Sequence, residues 1–541
     1  MAKRKQTSNS ELRSSQIPIT VHKYDLSNLR NSAKQHWNVD NIQPYFPPIQ
    51  KLFKTSELEH VTEYGIKLDE EVLSVIESDK IRTTLGNAEI HTKVAMILSP
   101  YKFMRGEYGG TLGLPSSSEQ SSAVFEKLQN PNNASYVGAT ISAILSQTGC
   151  QHFPKVYGIF NGISAEHTID ISDDYGELAD RPWFSHNIGK TFDMKLSNDI
   201  ASNDFKHTRT SRIAIRLGDD MDLGNVEEVE PIPADDVIMG DLSRVLHDDQ
   251  EDDDGESDSS SVSTSYIFEV RSCDCDDESE MDEEDESCEP FAWATFKNVP
   301  VQITVMEKCE GTIYELMMMN FDNDKHLAWI TQLMFALAYA QRCIGLTHND
   351  LHANNVMYTK TDKEFFYYNS GGILYKVPTY GYLIKIIDFE RGIASIKITG
   401  LKEPKLFMSD QFNFCEEAGG QYNYGDYYHS KYPEMKPNPS FDLTRFATSM
   451  FWDLFPEGPE HPDYKNLILF QLFMKWLNID GKSVLFSQDD EAHDRYHGFH
   501  LYKAIARYCK DAIPRKEVLA VRGIYETLKI PEEETVILID I

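Results

Sequence analysis

Two polar side chains five positions apart, Asp350 and Asn355, share the stretch His348-Asn349-Asp350-Leu351-His352-Ala353-Asn354-Asn355. Thirty-three positions after Asn355 a third oxygen donor, Asp388, closes the apolar run Ile386-Ile387 and precedes Phe389-Glu390. This set suits phosphoryl transfer. The attacking hydroxyl needs a carboxylate to orient it and accept its proton, and the metal that neutralises phosphate charge needs hard oxygen ligands. Asp350 is therefore the candidate catalytic base, and Asn355 and Asp388 are the candidate Mg²⁺ ligands. A single Asp or Asn in a loop reads more simply as a cap or turn residue. The whole string, at fixed spacing between a helix and a strand, carries the assignment.

Those residues need elements to hold them. Lys325 to Ile344 is apolar around much of its circumference, which predicts a helix in the centre of a core, stopped by Gly345. Glu89 to Leu98 and His152 to Phe160 read as strands, and Pro300 to Glu307 as a buried strand. Asn133 to Gln147 opens on an Asn cap and places Val137, Ile141, Ile144 and Leu145 at helical spacing. Gly106 to Ser122 reads as a loop, and Phe441 to Leu454 as an apolar helix. Residues 1 to about 60 show no clear period, and no internal repeat is visible. The last hundred residues alternate helical and loop patterns.

The 541 residues carry a net charge of −34, and its distribution is uneven. From Asp219 to Glu289 there are 29 Asp and Glu against two Arg and no Lys, a net of −27 that leaves only −7 for everything else. So acidic a chain repels phosphate backbones, so no nucleic-acid partner is expected. The acidic stretch buries too little apolar surface to offset its ordering entropy and reads as a disordered insert, with one short apolar patch at Tyr266 to Val270. Eight scattered Cys do not make a disulfide framework, and Cys273, Cys275 and Cys288 lack a fourth zinc ligand at usable spacing. Reduced thiols in a cytoplasmic compartment are the simpler expectation. The N-terminus has no apolar core of a signal peptide, and its Lys3-Arg4-Lys5 cluster reads as a solvated tail. No run nears the ~18 apolar residues of a membrane span, so no membrane is expected.

The loop and the Ile386-Ile387-Asp388-Phe389 strand together resemble the protein-kinase catalytic loop and its Asp-Phe-Gly element. They are similar in particular to serine/threonine protein kinases encoded by large DNA viruses, whose pattern joins a His-Asn-Asp-Leu-His loop (His348 to His352), a Tyr-Lys-Val-Pro-Thr-Tyr-Gly insert (Tyr375 to Gly381) and an Ile-Ile-Asp-Phe strand (Ile386 to Phe389). Pro300-Val301-Gln302, the run Glu307 to Thr312 and Ser440-Phe441-Asp442-Leu443 are alike too. The resemblance runs discontinuously from about Glu89 to the C-terminus. It implies ATP and Mg²⁺ as cofactors and a serine or threonine hydroxyl of a protein as acceptor. It also implies an adenine-binding hinge at Met306, Glu307, Lys308 and Cys309, a phosphate-contacting Lys93, and an Asp442 that fixes the catalytic-loop backbone. Read alone, Lys93 is a solvated strand lysine and Asp442 a helix cap. A viral source would place the protein in host cytoplasm or the virion. The loop alone also resembles small-molecule kinases of the choline and aminoglycoside type, while the run Met306-Glu307-Lys308-Cys309 and the insert favour the protein-kinase reading.

Four departures from that pattern bear on activity. No glycine-rich loop precedes Lys93, and Gly86 is the nearest glycine. The Asn133 to Gln147 helix has Gly138 where an acid is expected, which leaves Glu107 or Glu126 as substitute partners for Lys93. Glu390 replaces the glycine after Phe389, and Asn349 replaces an arginine that reads activating phosphate. His352 stands where a lysine steadies the γ-phosphate, so a charged His352 would raise turnover as pH falls through about 6.5.

The fold expected is α+β and bilobal, protein-kinase-like. An N-terminal extension spans 1–60. A small β-rich lobe spans 61–306, with the acidic insert at about 218–290, and a mainly helical lobe spans 307–541. The competing expectation is a pseudokinase scaffold that keeps the fold without catalysis. The insert's serines, Ser257 to Ser265, suit an acid-directed kinase, although a solvated linker explains them more simply. Oligomeric state is left open.

Overall fold

The computed structural model describes residues 17–197 and 291–539, apart from 57, 111, 117–120, 487–494 and 497. The basic N-terminal cluster, the acidic insert with its serines, and Cys273, Cys275 and Cys288 lie outside the described residues. The described chain is α+β, with a sheet-rich part followed by a more helical part.

The sheet-rich part is organised by one antiparallel sheet of seven strands. In spatial order its strands are Val39–Gln43, Val156–Asp170, Phe291–Glu307, Asn87–Met96, Lys80–Thr83 and Val72–Glu77, with Asp193–Ser197 also paired to Phe291–Glu307. The central strand Phe291–Glu307 is buried on both faces from Val299 to Met306. Side chains alternate along it, so Val301, Ile303 and Val305 lie on one face and Gln302, Thr304 and Met306 on the other. Buried Gln302 donates its side-chain Nε2 to Phe160 O at 3.0 Å. Register sets Lys93 opposite Thr304 and Ala95 opposite Gln302, on the same face.

Two strand readings need correction. The expected strand from His152 begins only at Val156 and runs to Asp170, because it pairs along its length with the long strand Phe291–Glu307. Residues 27–43, without evident period, form the helix Ser27–Trp37 and an edge strand, Val39–Gln43. Packing against the sheet, not local propensity, orders them.

The expected helix after Asn133 spans Ala134–Ser146, and the Asn133 side chain caps it by accepting from Ser135 N at 3.2 Å. The same amide donates to Ile97 O at 2.8 Å, tying the helix start to the end of the Lys93 strand.

In the helical part, Asn323–Ile344 is capped by Asp322 and stopped by Gly345 at φ 59°. Its middle turns are fully buried, and a residue such as Phe335 contributes about 1.5–3 kcal/mol by leaving water. The hairpin Phe365–Ser370 and Ile373–Pro378 packs on this helix, with Phe335 stacked on Tyr368 at 4.0 Å between ring centroids. Trp329 Nε1 donates to Thr379 O at 3.0 Å. The helices Phe441–Leu454, Ile468–Trp476 and Phe499–Tyr508 also belong to this part. Among the described residues no helix is long and apolar enough to cross a membrane.

Candidate active site

The loop after Gly345 is held from three sides. Buried Asp442 accepts the backbone N–H groups of His348 and Asn349, each at 3.0 Å. Burial pushes its carboxyl above the ordinary range, opposed by His348 and those two N–H groups. Asp442 is therefore no helix cap: the cap position belongs to Ser440. Asn349 sits in the left-handed region at φ 64°, which Asn tolerates better than most side chains. Its amide donates to Thr347 O and Arg391 O and accepts from the Tyr422 hydroxyl at 2.7 Å. His348 Nε2 donates to Ile387 O at 2.8 Å.

Strand pairing then joins the loop to Asp388. Val356–Lys360 runs antiparallel to Tyr382–Ile386, with Val356 opposite Ile386. Ile387 N donates to Asn355 O at 3.0 Å, so Asn355 and Asp388 leave the same end of the hairpin. Asn355 Nδ2 donates to Asp350 O at 2.9 Å and to His352 Nε2 at 3.1 Å. His352 thus braces Asn355 through a nitrogen that accepts, an arrangement that does not present a cation from that atom. Asp350 and His352 are each only 2% exposed, and Asp350 Oδ1 accepts from the Tyr502 hydroxyl.

Lys93 reaches this group from the sheet. Its amine lies 2.8 Å from Asp388 Oδ1 and 2.8 Å from Glu390 Oε1. Burial alone would depress the amine, but the two carboxylates outweigh it and hold Lys93 above its ordinary value, as a cation. The partners suggested by sequence are engaged elsewhere: Glu107 pairs with Arg105, and Glu126 accepts from Ser122. Asp388 itself has φ 63°. Phe389 is buried against His348, 5.1 Å between ring centroids.

Met306, next to last in the central strand, lies beside the same cleft. The Glu307 carboxylate accepts from Lys155 N and from the nearly buried Lys385 amine, both at 3.0 Å, which anchors the chain where sheet and helical part meet. Lys308 pairs with Asp79 at 3.1 Å, and burial pushes the Cys309 thiol up to about 12, so it stays protonated.

Lys93, Ala95, Ser135, Met306, Asp388 and Glu390 line a cavity of about 330 Å³, within the range of small-molecule sites. Gly86 does not cover it, since it sits in the turn before the Lys93 strand. The hairpin Val72–Glu77 and Lys80–Thr83 turns at Ser78-Asp79, beside Ile90, whose N–H donates to Asp79 O at 2.8 Å. It therefore ends three residues short of Lys93. Among the described residues no three His, Cys, Asp or Glu side chains are grouped to hold a metal by themselves. Asn355 and Asp388 supply two hard oxygen donors, a set that suits Mg²⁺ when phosphate and water complete the shell.

No protein-family model matches the chain. Over 121 residues it is 31% identical to a protein of Acanthamoeba polyphaga mimivirus that bears the name "putative serine/threonine-protein kinase". That match spans 20% of this chain and a quarter, 25%, of the relative's length. The likeness suggests kinase relatedness over that part.

Two residues at the site, and one contact, escaped the sequence reading. Tyr502 and Tyr422 carry no local signal, since each meets the loop from a distant helix or turn. Glu390 was visible as a replaced glycine, but its contact with Lys93 was not.

Proposed function

We propose that the chain transfers the γ-phosphoryl group of Mg-ATP to a hydroxyl, with a serine or threonine of a protein as acceptor. The observation that carries this reading is the convergence of Lys93, Asp388, Asn355 and Asp350 at the junction of sheet and helical part, through the Lys93–Asp388 ion pair, the Ile387 N–Asn355 O bond and the Asn355 Nδ2–Asp350 O bond. The lobes proposed, 61–306 and 307–541, meet at Glu307, and the adenine edge takes the backbone of Met306 to Cys309.

In this reading the acceptor hydroxyl is oriented by Asp350 and passes its proton there as its oxygen attacks the γ-phosphorus. The bond from that phosphorus to the β–γ bridging oxygen breaks, and ADP leaves. Lys93, held as a cation, binds the α- and β-phosphates. Asp388 and Asn355 Oδ1 would hold the metal, which neutralises charge on the phosphate oxygens when bound. His352 keeps Asn355 oriented. Positioning and electrostatics supply most of the rate.

A second reading, a nucleotide-binding scaffold without catalysis, draws support from the short hairpin and from the burial of Asp350 beneath Tyr502. A labelled-ATP assay on mixed protein and small-molecule acceptors decides between them. The kinase reading expects label on protein hydroxyls, abolished in Asp350→Asn and Asp388→Asn. Thermal stabilisation by Mg-ATP without any label transfer would establish the scaffold, and label on small alcohols alone would reassign the acceptor.

A further inference from the structure

The helix Ala134–Ser146 brings a glycine, not an acid, against Glu390, and that glycine shares a pocket lining with Lys93. A Cβ built on Gly138 would stand 2.9 Å from Glu390 Cγ, 3.2 Å from Glu390 N and 3.3 Å from Glu390 Cα. Contacts that close with backbone atoms cannot be relieved by a side-chain rotation, so any larger residue at 138 displaces the Phe389-Glu390 segment. Gly138 is therefore the space in which Glu390 sits. A side chain leaving position 138 would enter the volume Glu390 now fills. Glu390 Oε1 reaches Lys93 Nζ at 2.8 Å from a carboxylate that is itself only 19% exposed.

From this juxtaposition we infer that Glu390 is the positioning residue for Lys93, supplying from the segment after Asp388 the carboxylate that the helix does not carry, with Gly138 as its obligatory complement. What Lys93 then contacts rests on the phosphoryl-transfer reading. Because Asp388 and Glu390 both grip the amine, Lys93 can pass to a phosphate without being left unpaired. When Asp388 turns to a metal, Glu390 keeps the cation in place. The lysine's orientation and the placement of the metal ligand are thereby set by one three-residue segment, and the helix contributes shape alone.

The test joins a nucleotide-free readout to a kinetic one. In the apo protein, the rate of reductive methylation of Lys93, followed by mass spectrometry, should rise severalfold in Glu390→Gln, which keeps size and removes the charge. With Mg-ATP, KM should rise about tenfold in Glu390→Gln, the loss expected for one charge-assisted contact, with kcat changed less. The exchange variant Gly138→Glu/Glu390→Gly should bring KM back toward the parent value, while Gly138→Glu alone should not. Unchanged methylation in Glu390→Gln overturns the inference whatever the nucleotide result. A folded exchange variant that stays as weak as Glu390→Gly overturns the equivalence of the two positions. A parent protein that neither binds nor turns over Mg-ATP, with methylation responding as stated, sinks the kinase reading and the nucleotide role of Lys93, and leaves the Glu390 grip on the amine standing.

Discussion

The hydroxyl of Tyr502 donates a 3.1 Å hydrogen bond to Oδ1 of Asp350, joining residues 152 positions apart. Both are buried, and the Tyr502 ring lies beneath the guanidinium groups of Arg391 and Arg445, 5.6 and 5.1 Å from its centroid. The helix Phe499–Tyr508 thereby holds one oxygen of the candidate base and so orients the other.

Tyr502→Phe removes that hold with little change of shape. A hydrogen bond to a charged group is worth about 1.5–3 kcal/mol, so the variant should lose stability on that scale in denaturant titration. Label transfer should fall roughly tenfold at unchanged KM for ATP, because only the base is loosened. A variant with parent turnover would show that Tyr502 merely fills space.

Asp442 offers a second test, because it satisfies two buried backbone N–H groups of the loop. Asp442→Ala leaves both without a partner, at about 1–3 kcal/mol each, partly offset by no longer burying a carboxylate. A net loss of about 2–4 kcal/mol in urea unfolding is expected, together with loss of turnover. A loss under about 0.5 kcal/mol, the scale of an ordinary surface change, would reduce Asp442 to a helix-end residue.

His152 sets a pH dependence of stability. It is fully buried, with Nδ1 donating to Ile384 O at 2.7 Å and Nε2 accepting from the Tyr368 hydroxyl at 2.8 Å. Burial lowers it to about 4 from an ordinary 6.5, with the carbonyl of Ile384 opposing. Between those values the unfolded chain takes up a proton that the folded chain refuses, so stability falls as pH drops from 6.5 to 4. The loss approaches on the order of 3 kcal/mol at pH 4. His152→Gln keeps one donor and one acceptor and does not titrate. The stability difference between the two proteins should therefore change by that amount between pH 7 and 4, and a constant difference would rule the mechanism out.

The local elements of the site were legible in the chain. The apolar helix read over Lys325 to Ile344, its Gly345 stop, and the helix Phe441–Leu454 follow from period and end signals that act within a few residues, while the Asp322 cap and the start at Asn323 came from the structure. So does the bare order in which Asp350, Asn355 and Asp388 follow one another, since turn chemistry and one antiparallel strand pair bring them together.

What the sequence could not decide was which distant groups meet. The sequence offered Glu107 and Glu126 to Lys93 and not Glu390, for nothing in local spacing says which carboxylate a strand lysine will face. That choice came from strand register, which sets Lys93 opposite Thr304, and from the close approach of Gly138 to Glu390. The seating of Tyr502 on Asp350 and the pairing of Val39–Gln43 with the sheet arose in the same way. Periodicity records which face of an element is apolar; the partner that covers that face is selected by packing across the whole chain, and only the folded molecule contains that information.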